Sequence, residues 1–387
     1  MANVSSSNSQ GVRVPKLRFP GFEGEWKDAK LSDLTTYLRT RGKSYRSHFI
    51  STENMKQKCS GIERYEDDSI TDGIAFEKGD ILLANIRPYL KKVWLSSFSG
   101  VCSTDVLAFH PIGADSDFLF SALCRDSFFT YVMSGVKGSK MPRGDKIHIM
   151  DFHLAVPDIQ EQRKIAQFVQ CLNKRIEKQR QLVEALKSYK RGFLNSYISQ
   201  NEQSWEKVCL SDILSERKEY CEKDGTFTHA TLSKDGVYGK TDRYDRDYLV
   251  SSDDKKYKVT HRGDLCYNPA NLKFGVICIN TYGDAIFSPI YVTFEISEQH
   301  NTEFVGAYLM RSDFINQALR FQEGTVYERM AVSPDDLLAM SIRLPQKSEQ
   351  GKIANILSKM EMKIQAEDDV LNKTVLLKKA LLSLLFI

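Results

Sequence analysis

No run of apolar side chains in these 387 residues approaches the roughly 20 needed to cross a bilayer. The first ten residues are rich in Ser and Asn and lack the apolar core of a secretory leader, so they read as a lead-in. Net charge is scarce: 54 Lys and Arg against 50 Asp and Glu leave +4. That balance points to no polyanion by itself, and only local clustering can make the case. Paired cysteines are missing as well. The eight, at positions 59, 102, 124, 171, 209, 221, 266 and 278, form no CxxC. They read as reduced, buried thiols of a cytoplasmic protein, neither a disulfide framework nor a zinc site. The C-terminal stretch from Leu381 to Ile387 is apolar but short, and reads as a packed helix end. The remainder, 42% hydrophobic and 27% charged, is ordinary for two or three folded domains.

The chain repeats itself once. Trp26 with Leu31-Ser32-Asp33-Leu34 returns as Trp205 with Leu210-Ser211-Asp212-Ile213, 179 residues on. Gly79-Asp80-Ile81 returns as Gly263-Asp264-Leu265. Leu123 to Phe128 returns as Leu309 to Phe314, and Gly138 and Arg143 return as Gly324 and Arg329, all at an offset of 186. Pro157, Glu161-Gln162 and Ile165-Ala166 return 188 residues later as Pro345, Glu349-Gln350 and Ile353-Ala354. Unchanged order with a slowly growing offset means duplicated domains with small loop insertions, not a solenoid.

Each half has two parts. Residues 20–157 mix short apolar runs with Gly and Pro punctuation, which predicts strands. Helical spacing predicts a single helix over Asp117–Ser134. From Asp158 no Pro or Gly intervenes until Gly192, and a long helix follows. The second half repeats this after Pro345. The division is a lead-in over 1–19, an α/β domain over 20–157, a long helix over 158–200, a second α/β domain over 201–345 and a last helix over 346–387.

Both helices carry an apolar heptad seam. In the first, Ile165, Leu172, Gln179, Leu186 and Phe193 alternate with Val169, Ile176, Val183, Lys190 and Tyr197. In the second, Ile353, Met360, Glu367, Thr374 and Leu381 alternate with Leu357, Ile364, Leu371, Lys378 and Leu385. Polar breaks coincide under the repeat: Gln179 with Glu367, and Lys190 with Lys378. Such stripes need partners, and a pseudo-two-fold would pack the two helices antiparallel with Gln179 facing Glu367. A rod of about 39 residues would be roughly 60 Å long, enough to hold two globules about one turn of DNA apart. Docking of each helix on its own globule is the plainer alternative.

Three segments suit DNA contact. The first is Arg39-Thr40-Arg41-Gly42-Lys43-Ser44-Tyr45-Arg46, with four cations and no acid, read as a flexible loop. The second is Asn85-Ile86-Arg87-Pro88-Tyr89-Leu90-Lys91-Lys92, which matches Asn268 to Lys273 in the repeat and includes Asn271. Arg and Asn are the side chains that read guanine and adenine edges. The third is Lys137-Gly138-Ser139-Lys140-Met141-Pro142-Arg143, whose counterpart runs from Glu323 to Arg329 with Thr325 and Tyr327. A glycine followed by a hydroxyl residue can offer N–H and O–H groups to a phosphate. Tyr238, Lys240 and Arg243 add a fourth stretch, but Asp235, Asp242 and Asp245 lie among them, and a solvated loop fits equally well.

Chemistry is sparse by comparison. Gly236-Val237-Tyr238-Gly239-Lys240-Thr241 imitates a phosphate-binding loop but has two residues between its glycines where four are needed. Tyr267-Asn268-Pro269-Ala270 lacks the second proline and the aromatic of an amino-methyltransferase motif. Pro157-Asp158 with Glu161 and Lys164 has the wrong spacing for a nuclease centre. The seven histidines form no metal pattern, and His148 and His153 read as structural. No catalytic residue, metal site or cofactor site is therefore assigned to this chain.

Taken together, the layout resembles the specificity (S) subunits of type I restriction-modification systems. The likeness rests on Lys16-Leu17-Arg18-Phe19-Pro20-Gly21-Phe22 with Trp26, on two variable α/β regions, and on two copies of the Pro-x3-Glu-Gln-x2-Ile-Ala helix start. The resemblance implies mixed α/β target recognition domains separated by two long antiparallel helices. Each domain would read half of an asymmetric bipartite site in double-stranded DNA, with the helices as a ruler. It also implies two modification subunits that bring S-adenosylmethionine, and restriction subunits that bring ATP and magnesium, with no catalysis on this chain. A self-contained methyltransferase or nuclease, and a coiled-coil interaction protein without DNA, are the competing readings.

Overall fold

The computed structural model describes residues 13–138, 140–222, 225–234, 236–239, 256–322 and 330–387. It divides into two units, Met1–Gln181 with Asp368–Ile387, and Leu182–Glu367.

In the first unit the apolar run Ile81–Ala84 is a central strand buried on both faces. Ile81 and Leu83 join Leu107, Phe109, Phe118 and Phe128 in one core, whereas Leu82 and Ala84 join Val106, Ala108, Phe76 and Trp94 in another. Strand alternation thus sends one continuous apolar run into two cores. Its antiparallel sheet runs Thr35–Tyr37, Val106–Pro111, Ile81–Ala84, Val93–Leu95. A second sheet runs Arg41–Tyr45, Ile70–Phe76, Gly100–Cys102, Phe49–Ile50, the last pair being parallel. Lys27–Lys30 pairs with His153–Val156 and closes the unit.

The second unit repeats this order. Its sheet runs Leu214–Glu216, Val292–Ile296, Leu265–Tyr267, Ile277–Ile279, and Glu206–Cys209 pairs with Ser341–Leu344. Leu265 and Tyr267 enter one core and Cys266 the other. Among the described residues the second sheet has five strands, with Tyr257–Thr260, Ala285–Phe287 and Thr228–Ser233 adjacent and Gly236–Gly239 at an edge. Mixed α/β architecture and the internal repeat are both visible in the element order.

The single helix expected over Asp117–Ser134 is two, Ser116–Leu123 and Asp126–Ser134. Arg125 between them is extended, with φ −77° and ψ 151°. On one straight helix Leu123 and Phe128 would lie about 140° apart, whereas the break lets Phe128, Phe129 and Val132 join Phe118, Leu119 and Leu123 in one core. Arg311 breaks the equivalent pair, Thr302–Leu309 and Ser312–Ala318.

The long helices are Ile159–Asn201 and Lys347–Leu385. All twenty seam positions are buried or half-buried, including Leu172, Leu186, Met360, Leu371 and Leu381. In the first unit Ile165 and Val169, near the start of one helix, share a core with Leu385 and Phe386 at the end of the other. In the second, Leu194 and Ile198 share a core with Ile353, Ala354 and Leu357. Within each unit the helices therefore meet antiparallel. Among the polar breaks, Lys190 pairs with Glu361 at 2.5 Å and Glu367 with Lys363 at 2.6 Å, while Gln179 and Lys378 are half-buried in the first unit.

The expectation of uniformly buried thiols needs correction. Only Cys102, Cys266 and Cys278 are buried; Cys171 is exposed because it falls on the outer side of its helix, and the other four are half-buried.

Candidate nucleic-acid interface

Arg39–Arg46 was expected to be a flexible loop, but Arg41–Tyr45 is an edge strand paired to Ile70–Phe76. The strand has a physical consequence: Arg41, Lys43 and Tyr45 alternate onto one exposed face, while Gly42 and Ser44 turn inward. Gly42 sits where a Cβ would come within 3.2 Å of the Ala75 side chain. Lys43 lies opposite Asp72 in the register. Arg46, just past the strand, is held over the Tyr65 ring at 4.9 Å and lies 3.7 Å from Asp67. Arg39 lies 5.3 Å from the Tyr37 ring centre.

Two other predicted segments are brought together. The Arg87 N–H donates to the Pro142 carbonyl at 2.9 Å, and the Gly144 N–H to the Asn85 carbonyl at 3.1 Å. Lys137 and Arg143 exchange two backbone hydrogen bonds, at 2.9 and 3.0 Å, closing the second loop into a small hairpin. Arg87 is exposed and left-handed, with φ 51°, and Pro88 follows it. Tyr89 and Lys140 are exposed. Asn85 is buried instead of offered to solvent, and its Oδ1 has no hydrogen-bond donor among the described residues.

Charge partners sort these cations. Lys91 is committed to Asp126 at 2.6 Å, Arg143 to Asp105 at 3.1 Å, and Lys137 to Asp145. The bond from Lys137 holds the Asp145 carboxyl below its ordinary range, which favours the carboxylate. Arg39, Arg41, Lys43, Arg87 and Lys140 make no ion pair among the described residues. These five can take a phosphate without first breaking an internal ion pair.

Sequence reasoning missed Lys146 and Tyr37. The Lys146 ammonium also lies 5.3 Å from the Tyr37 ring, so two cations share one aromatic. Both line an open cleft of about 880 Å³ with Arg39, Lys30 and Ile147. Ile147 is 83% exposed. Lys30 in that cleft is paired with Asp151 at 2.5 Å, leaving Arg39 and Lys146 as its cations without an ion pair among the described residues. The available signal was continuity, since Lys146 lies three residues past the basic segment ending at Arg143.

In the second unit the placement is less favourable. Asn268 is buried, and its Oδ1 accepts the Ala270 and Asn271 N–H groups at 3.1 and 3.2 Å, capping the turn Pro269–Phe274. The carbonyl half of the edge expected to read adenine is thus used up by the backbone, as Asx residues before proline turns commonly are. Asn271 is half-buried, Lys273 is exposed beside the Phe274 ring at 5.1 Å, and Tyr238 is exposed on the edge strand. Ser139, Lys240, Arg243, Thr325, Tyr327 and Arg329 lie outside the described residues. Among the described residues no group of His, Cys, Asp and Glu is disposed to hold a metal, and no helix is long and apolar enough to cross a membrane.

Residues 23–187 match the family model described as the type I restriction modification DNA specificity domain. Over 123 residues the chain is 29% identical to the type I restriction enzyme EcoDI specificity subunit of Escherichia coli, a match covering 31% of this chain and 27% of that protein. Two solved structures share the fold with a TM-score of 0.54 each. One, from work on complex assembly and conformational transition of the type I R-M system, is 16% identical, with 92% of this chain and 96% of that chain covered. The other, a type I restriction-modification S subunit from M. genitalium, is 14% identical, with 96% and 99% covered.

Proposed function

We propose that the chain is a specificity subunit of the type I restriction-modification kind, like the proteins it resembles, and that it reads an asymmetric, two-part sequence in double-stranded DNA. The observation that carries this reading is a framework repeated in both units with unlike residues at its exposed turns. Arg87 stands after the first unit's central strand, where the second has Ala270. Arg39, Arg41 and Lys43 have no equally basic counterpart. Equal scaffolds with unequal surfaces suit two different half-sites.

In this reading residues 20–157 and 201–345 are the two target recognition domains, and 158–200 and 346–387 are the helices that set their spacing; 1–19 is a lead-in. Phosphate contact falls to the uncommitted cations Arg39, Arg41, Lys43, Arg87, Lys140 and Lys146. Base contact falls to Arg87, Tyr45 and Tyr89, and in the second unit to Asn271, Lys273 and Tyr238, whereas Ser44, turned inward on its strand, drops out. Two modification subunits, with S-adenosylmethionine, and restriction subunits, with ATP and magnesium, supply the chemistry, and this chain contributes recognition alone.

The decisive experiment exchanges residues 20–157 for those of another family member and maps methylated adenines in a host carrying the complex. One half of the target should change and the other persist. A change in both halves would break the modular reading. Methylation or cleavage by the purified chain alone would overturn the non-catalytic one.

A further inference from the structure

A second cavity in the first unit shares only Tyr89 with the proposed DNA contacts. It encloses about 560 Å³ and brings Cys59 and Cys124 together with Lys58, Lys91, Lys378 and Lys379. Arg125 adds a fifth cation, and Asp126 is the one acid on its wall among the described residues. The loop carrying Cys59 is strained: Lys58 and Cys59 are both left-handed, with φ 55° and 53°. Two bonds hold it there, from the Lys58 N–H to the Leu90 carbonyl at 3.1 Å and from the Cys59 N–H to the Lys91 carbonyl at 2.8 Å. Non-glycine residues persist in this region only where their surroundings fix them, and such strain clusters at working sites.

The two thiols are not equivalent. The Cys59 Sγ donates to the Lys91 carbonyl at 3.4 Å, and the nearby Cys124 thiol, together with the Lys378 and Lys91 charges, lowers the Cys59 pKa against the effect of burial. Burial pushes the Cys124 thiol up. A thiolate is the nucleophile, and positive surroundings favour it. Cys209 is lowered as well, but by hydrogen bonds from Ser211 and not by a second thiol and lysines. Burial pushes the Cys102 thiol up to about 12 and that of Cys278 to about 11, and Cys171 stands exposed on a helix.

We propose that Cys59 and Cys124 form a reversible oxidation site that closes to a disulfide on exposure to a hydroperoxide. The Cys59 thiolate attacks one peroxide oxygen; the O–O bond breaks, hydroxide leaves, and Cys59 becomes a sulfenic acid. The Cys124 sulfur then attacks the Cys59 sulfur. An S–S bond forms, the S–O bond breaks, and the hydroxyl departs as water with the Cys124 proton. Two electrons pass from the sulfurs to the peroxide. A thiol reductant reverses the sequence. The product would tie the strained loop to the junction between helices Ser116–Leu123 and Asp126–Ser134.

The test treats the folded full-length chain with hydrogen peroxide, quenches in acid and maps cysteine peptides by mass spectrometry. The Cys59–Cys124 link should form before any other, with loss of two hydrogens, and vanish with dithiothreitol. In Cys124→Ser, dimedone should trap the sulfenic acid at Cys59, whereas in Cys59→Ser it should trap nothing at Cys124. Iodoacetamide should modify Cys59 of the wild-type chain faster than Cys171, and Lys378→Met should reduce that advantage. Cys171 reacting first, or the cross-strand neighbours Cys266 and Cys278 linking first, would overturn the proposal.

Discussion

Gln162 bolts the central helix to the α/β body: its Oε1 accepts the Asp115 N–H at 2.8 Å and its Nε2 donates to the Pro157 carbonyl at 2.9 Å. Gln350 does the same with the Asn301 N–H and the Pro345 carbonyl, both at 2.8 Å. Asp115 and Asn301 are themselves the N-caps of equivalent helices. Both glutamines are buried, and the groups of each bolt find hydrogen-bond partners in one another, with His300 Nδ1 also 3.2 Å from the Gln350 Nε2. The repeated Glu-Gln pair thus has a mechanical meaning.

Replacing Gln162 by alanine strands the Asp115 N–H and the Pro157 carbonyl in a buried place. Destabilisation of about 1–3 kcal/mol should follow in urea unfolding, and Gln350→Ala should behave alike. Gln162→Glu keeps the acceptor and loses the donor, so it should fall between. A wild-type midpoint for Gln162→Ala would show that the bolt does not hold the fold together.

The neighbouring Glu161 has a partner from far away in sequence. Arg18 Nε and Nη2 bind its two carboxylate oxygens at 2.9 and 2.7 Å, and the Glu161 side chain is 1% exposed. The Arg18 guanidinium also donates to the Glu23 and Gly24 carbonyls. Arg18→Ala leaves a carboxylate buried and unpaired, and should cost about 3 kcal/mol or more. The double variant Arg18→Ala with Glu161→Gln should recover part of that loss. Equal stabilities for the single and double variants would deny the coupling.

What the sequence made legible follows from periodicity. The heptad rows from Ile165 and Ile353 found positions that are all at least half-buried, because a seam of this length leaves only one face to cover. Continuous apolar runs such as Ile81–Ala84 gave strands. Breaks without Gly or Pro were not legible: Arg125 interrupts two helices for the sake of packing Phe128, a tertiary cause. The strand Arg41–Tyr45 was hidden because its cations and glycine resemble a loop, and only pairing with Ile70–Phe76 makes it extended. Asn268 shows the same limit at the interface. Its residue type suits adenine, but the turn beside it claims its oxygen. Ion pairing separated Arg87 from Lys91, and no local pattern marks that difference.

That separation can be measured. Arg87→Ala and the pair Arg41→Ala with Lys43→Ala should each weaken DNA binding by the assembled complex. The slope of log affinity against log salt should fall by about one for each phosphate no longer neutralised. Lys91→Ala should leave the slope unchanged, since its ammonium serves Asp126. A reversed ranking in a fluorescence titration would disprove the sorting by internal partners.

His261 gives the second unit a pH response. Its Nδ1 faces Asp284 at 3.0 Å and its Nε2 faces Glu219 at 3.4 Å. The Asp284 hydrogen bond, followed by that of Glu219, raises its pKa above 6.5 against the lowering effect of burial and Arg217. A raised folded-state pKa means that the folded chain holds the proton more tightly than the unfolded one. The stabilisation is therefore complete below about pH 6.5 and is lost as pH rises through the elevated value. His261→Gln should narrow the stability difference between pH 5.5 and pH 8. An unaltered profile would assign that difference to other groups.

The helix seam can be tested within a single helix, where one side is packed and the other is wet. Leu357 is 5% exposed and packs in the core that holds Leu194 and Ile198, whereas Met362 is 62% exposed. Truncating each to alanine removes a comparable apolar volume. Leu357→Ala forfeits both the burial of its own atoms and the packing around the cavity left behind, about 2–5 kcal/mol. Met362→Ala removes atoms already in water and lies within about 0.5 kcal/mol of the wild type. Alanine and methionine are both good helix formers, so propensity does not offset the contrast. Thermal unfolding of the two variants should therefore diverge even though they lie five residues apart. Similar midpoints would mean that the helices lie side by side without contributing to the stability of the fold.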